Sequence, residues 1–354
     1  MAWPQGLGGL GALLGRGGRS GRGGRLGVLR RRGGLGIFCL GRSRLGVLRR
    51  GGGLGGLFVA GWVGTLVGGS AAFIGLLSGR TLPGVVLFVG GLAVLLVAFL
   101  LLGGSQALER RHAGLAYAGP SPILTFATVV VGWYLAAIVV VTPLQLLGMK
   151  VDGPALALLG VTIQGLVVLV ILRLMIVGPG ALTWRAMGVR RPDLAALREF
   201  GWGAMLAAPV IVVTAIVALA LVTVVGQLPV SPLPPTGSSS GMLLNLLAAA
   251  IIAPAYEELF FRGFTLTAWR HMTGARRAIL RSAVLFALIH AIDQTGDTFG
   301  AAFGVAVVAA AARLPVALVL GWVFDRRGSL WASIGLHATF NGILLIVAEQ
   351  SLAG

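Results

Sequence analysis

The chain has 354 residues, 57% hydrophobic and 11% charged, with a mean hydropathy of +0.95. That much apolar surface exceeds what one water-facing globule buries, which excludes an ordinary soluble domain and leaves a polytopic membrane protein. The net charge is +18, but the eleven arginines between Arg16 and Arg50 carry most of it and leave +7 elsewhere, and the single Cys39 excludes an internal disulfide and any cysteine-built metal site.

Residues 1–54 form a Gly, Arg and Leu low-complexity tail in which RLGVLRR occurs twice, at Arg25–Arg31 and Arg44–Arg50. Disorder is the expectation, because this glycine density opposes helix and there is no large apolar block to bury. A basic tail of this kind attracts anionic lipid headgroups. Nucleic acid is not expected as a partner, since no aromatic residues interleave with the arginines to stack bases. A downstream translation start is a third reading, and no signal-peptide pattern of a basic start followed by one short apolar core is present.

From Leu57 the apolar blocks have the length of a membrane crossing, about 20 residues. They fall near 57–78, 82–103, 123–147, 155–177, 203–226, 242–261, 279–292, 300–324 and 329–348. The seventh is short, and the eighth is interrupted by Arg313 and Pro315, which suggests two pieces, one of them re-entrant. The expected fold is therefore all-α, a transmembrane bundle of about 8–9 helices with a membrane-embedded site. Residues 55–180 supply the first spans and 181–350 the core that carries the polar motifs.

Cytoplasmic loops carry excess Lys and Arg. Alternate loops comply: Arg110 and Arg111; Arg185, Arg190, Arg191 and Arg198; Arg270, Arg276, Arg277 and Arg281; Arg326 and Arg327. The opposite loops hold Arg80, Lys150 with Asp152, an uncharged PVSPLPPTGSSS stretch, and Asp293 with Asp297. A multi-pass protein of the cell membrane is expected, with its N-terminus in the cytoplasm. Between Leu182 and Phe200 charge mixes with Trp184, Met187, Leu194 and Leu197, which reads equally as an amphipathic surface helix started by Pro192 and Asp193 or as a solvated connector.

The sixth apolar block contains YEELFFRG, Tyr256–Gly263. A charged side chain at membrane depth costs roughly 2.5–3.5 kcal/mol on insertion scales, so two adjacent carboxylates require a reason. Glu258 and Arg262 are four apart and can pair on one helix face. Glu257 points about 100° away and must find its partner on another helix. Two later segments offer one each: Phe286–His290 (FALIH) and His337–Asn341 (HATFN), both i and i+4. Interhelical hydrogen bonding alone explains His337 or Asn341 taken singly. It does not explain Glu257. A carboxylate, two imidazoles and a carboxamide are the groups that amide hydrolysis needs, for moving protons and for donating to an oxyanion. Glu257, His290 and His337 also have the composition of a two-His, one-carboxylate zinc site, although HExxH spacing is absent. The residues do not decide between direct water activation and assistance by zinc or another divalent ion.

EELFFR, FALIH and HATFN, in this order, resemble the EExxxR, FxxxH and HxxxN motifs of the CPBP intramembrane protease family, which includes type II CAAX prenyl proteases and bacteriocin-processing or immunity proteins. GSLW at Gly328–Trp331 and WRAMGVRR at Trp184–Arg191 are similar to features of the same family, so the resemblance covers about residues 180–345. It implies a metalloprotease-type endopeptidase in which Glu257 is the base toward water and His290 its partner. His337 and Asn341 would stabilise the oxyanion or join a metal, Glu258 and Arg262 would orient Glu257, and Phe286 would pack beside them. The substrate is expected to be a membrane-associated peptide or protein, and no prenylated substrate is implied. Two other readings compete: a proton-coupled transporter, against which no internal repeat is visible, and a non-catalytic immunity-type protein of the same fold.

Overall fold

The computed structural model describes residues 52–79, 81–148, 153–226, 234–292 and 294–353. The expected tail lies outside these, except that its last residues, from Gly52, already belong to the first helix. Among the described residues there are ten helical rods: α1 Gly52–Leu77, α2 Leu82–His112, α3 Pro122–Leu146, α4 Gly153–Leu172, α5 Leu194–Met205 and α6 Ala207–Val225. Then come α7 Ser239–Thr273, α8 Ala275–Ile289, α9 Phe299–Arg327 and α10 Leu330–Ala353. Among the described residues there is no strand. Among the described residues eight stretches are long and apolar enough to cross a membrane. The protein is an all-α, multi-pass bundle. Large side chains such as Leu66, Phe73, Val139, Ile216 and Leu219 stand exposed on its outside, an arrangement that only lipid makes favourable.

The expected seventh crossing is α8. Its 15 residues rise about 22 Å, short of the roughly 30 Å of hydrocarbon. Two expectations are corrected. The eighth block is not broken into two pieces: α9 runs unbroken through Pro315. Proline removes one backbone donor, which a packed bundle tolerates, and Arg313 Nη1 turns back along the same helix to the Ala309 carbonyl at 3.1 Å. Nor is 182–200 one surface helix. Residues 182–193 run as turns, with Met187 fully buried beneath them, and the helix begins at Leu194. Asp193 caps it, its Oδ1 accepting from the Ala196 N–H at 2.8 Å, so Pro192 stands before the cap instead of in the first turn.

The basic loops gather at one end of the bundle, tied together by their own side chains. Arg111 donates to the Pro179 carbonyl at 2.7 Å and Arg190 to that of Gly328 at 2.9 Å. Arg270 pairs with Asp325 at 2.9 Å, and Arg327 grips Glu199 with two bonds of 2.7 and 2.6 Å. These links put the end of α7, the start of α5 and the α9–α10 turn on one side.

Two features set the position of α10, which carries HATFN. Where α5 crosses it, Gly203 lies on the Ala332 carbonyl and Gly335 on that of Phe200, so a methyl on either glycine would collide with backbone. Small residues of this kind let membrane helices approach closely. Ala207, Val210, Val316, Leu320, Leu336 and Phe340 then close a core among α6, α9 and α10.

Candidate active site

The carboxylates sit midway along α7, on a short α-helical piece, Ala253–Glu258, between π-helical turns at Leu247–Ile252 and Leu259–Leu266. A π turn carries an extra residue and disturbs the usual backbone pairing. Three side chains donate to carbonyls in these turns: Asn341 Nδ2 to Ala249 at 2.9 Å, Ser282 Oγ to Phe261 at 2.9 Å and Thr267 Oγ1 to Arg262 at 3.3 Å. Asn341 and Ser282 come from α10 and α8, so the turns that frame the carboxylates are stitched to both neighbouring helices.

Glu258 is fully buried and Oε1 takes two donors, Arg262 Nη1 at 2.9 Å and His337 Nδ1 at 2.8 Å. Its Oε2 has no hydrogen-bond partner among the described residues. Arg262, 1% exposed, sends Nη2 to the Ala317 carbonyl at 3.4 Å and stands over the Phe286 ring at 4.5 Å. The Glu258–Arg262 pair therefore holds His337, whereas the resemblance implies that it orients Glu257. Helical periodicity shows which residues share a face but not which ring arrives from another helix.

With Nδ1–H committed to Glu258, the neutral ring of His337 presents Nε2 as an acceptor. Nε2 faces Glu257 Oε2 at 3.8 Å. Unlike Glu258, Glu257 keeps 16% of its side chain exposed. His290 terminates α8, and its Nδ1 lies 2.8 Å from the Phe286 carbonyl, which fixes Nε2 as its acceptor in turn. Phe286 is the hub: its ring lies 4.5 Å from that of His290, 5.7 Å from that of His337 and 5.1 Å from that of Phe261. All seven motif residues thus come together, but not as one uniform cluster. His337 binds Glu258 directly and faces Glu257, His290 joins them across Phe286, and Asn341 reaches the π turn before them.

The donor set does not fit a metal. Among the described residues no three His, Cys, Asp or Glu side chains are grouped to hold one. The orphaned oxygen at the site belongs to Glu258, whose other oxygen already carries a guanidinium that repels a divalent ion.

Residues 239–343 match the Rce1-like type II CAAX prenyl endopeptidase family. The Rce1-like segment begins with α7 and ends just past Asn341, so it contains all three motifs and agrees with the resemblance drawn from them. The helices before Ser239 stand outside it. Neither a curated protein nor a solved structure matches the chain.

Gln164 and Tyr256 also belong to this neighbourhood and were not singled out from sequence. Tyr256, beside Glu257, donates its hydroxyl to Gln164 Oε1 on α4 at 2.9 Å. The signal was there: a carboxamide within the apolar run GPALALLGVTIQGLVVLVIL.

Proposed function

We propose that this protein is an intramembrane endopeptidase that hydrolyses a peptide bond of a membrane-associated peptide or protein with water activated by Glu257. The observation that carries the reading is the pair of acceptors Glu257 Oε2 and His337 Nε2, 3.8 Å apart. Two acceptors cannot bond each other, but a water between them donates one proton to each and keeps its lone pairs for attack. Glu257 takes the water proton as the tetrahedral intermediate forms and returns it to the leaving amine. Glu258, held by Arg262, keeps His337 in the tautomer that presents Nε2. Asn341 uses one amide N–H on Ala249, and the other is the candidate donor to the oxyanion. His290 supplies a second acceptor across Phe286 for the amine's proton traffic. No step passes through a metal.

The same reading places the protein in the cell membrane with the basic end toward the cytoplasm, following the charge rule for loops. Since α2 ends at that end, α1 starts there, and the N-terminal tail is cytoplasmic.

The test uses the full-length protein in liposomes with a library of membrane-anchored peptides, the products being read by mass spectrometry. Defined fragments from the wild type, absent with His337→Ala, are expected. Transport of a solute with no fragment formed would show a carrier instead.

A further inference from the structure

Gln164 lies outside the segment that matches the protease family, midway along a helix whose neighbouring residues are nearly all apolar. A carboxamide at that depth is costly unless bonded, and its partner stands next to the proposed base. The Tyr256 hydroxyl donates to Gln164 Oε1 at 2.9 Å, and the tyrosine is 7% exposed. Gly165 makes the approach possible: a Cβ there would lie 3.0 Å from Tyr256 Cδ1. The next residue along the chain is Glu257, whose carboxylate is near enough to act on this phenol. A phenol has one proton to give. If it goes to Glu257, it occupies a lone pair that the attacking water would otherwise use.

We propose that Gln164 is a positioning residue that draws the Tyr256 proton away from Glu257 and so leaves the Glu257 carboxylate to water. The proposal rests on the reading of Glu257 as the base. It differs from a packing role in one respect: the harm done by losing Gln164 comes from the phenol, so removing the phenol relieves it. Gln164→Leu lets the Tyr256 hydroxyl turn to Glu257. The expected result is a fall in kcat of about tenfold with KM little changed, since hydrogen bonds to charged groups are the stronger class. Adding Tyr256→Phe to that variant restores most of kcat. A double variant as slow as Gln164→Leu, or slower, overturns the proposal.

A second readout needs no turnover. The chain has three tyrosines, so [13Cζ]tyrosine labelling of the full-length protein yields three signals, with Tyr256 assigned by its loss in Tyr256→Phe. In the Gln164→Leu background, Glu257→Gln is expected to move the Tyr256 signal several times further than the same change does with Gln164 present. Equal shifts in the two backgrounds overturn the proposal. A protein that cuts no peptide but shows the unequal shifts would lose the enzyme reading and with it the catalytic role of Gln164, leaving only the pull of Gln164 on the Tyr256 proton.

Discussion

Replacing Glu258 by alanine is expected to unfold the site before it touches the chemistry. Arg262 is 1% exposed, and without Glu258 it retains the 3.4 Å contact to the Ala317 carbonyl, the rings of Phe286 and Phe261 and the more distant charge of Glu257, with no hydrogen-bonded carboxylate. Removing one member of a buried ion pair costs about 3–5 kcal/mol, because the remaining charge is stranded. At about 1.4 kcal/mol per decade, the unfolding equilibrium shifts by roughly 10²–10⁴-fold. Titration with sodium dodecyl sulfate in mixed micelles, followed by tryptophan fluorescence, measures this directly. The double variant Glu258→Leu with Arg262→Met removes both charges and is expected to recover much of the loss. It leaves His337 Nδ1 without its acceptor, which costs about 1–3 kcal/mol. A Glu258→Ala protein within about 1 kcal/mol of wild type would refute the argument, since it would mean that Arg262 is solvated after all.

Gly203→Ala should destabilise by about 1–3 kcal/mol in the same titration, because its methyl meets the Ala332 backbone carbonyl and no side chain can move aside. Ser282→Ala removes the donor to the Phe261 carbonyl in the second π turn, with an expected cost of about 1 kcal/mol and a lower kcat from displaced carboxylates. Dialysis against a strong chelator is expected to leave activity intact; a loss reversed by added zinc would show that Glu257, His290 and His337 close around a metal during turnover.

Hydropathy of spanning length makes most of the bundle legible, and the short apolar block at 279–292 marks α8 as short. The members of the candidate site are legible as candidates too, since Glu257, Glu258, His290 and His337 are polar where hydrocarbon is expected. The site's wiring is not. The π turns have no composition of their own and show only as carbonyls that Asn341, Ser282 and Thr267 come to satisfy. The choice of Glu258 over Glu257 as the acceptor for His337 Nδ1 depends on how α10 packs, and the close approach of α5 to α10 at Gly203 and Gly335 lies outside the motif. Continuity of α9 through Pro315 likewise depends on its neighbours, because proline's local preference is to end a helix.

The most direct measurement is the single-turnover cleavage rate of Glu257→Gln against wild type on one reconstituted peptide, with equal folded protein confirmed by the unfolding titration. The substitution keeps the side chain's shape and removes its ability to take a proton. A rate lower by about 10²–10⁴-fold is expected of a lost general base. A rate within a few-fold of wild type would contradict the assignment of Glu257 as the group that activates water.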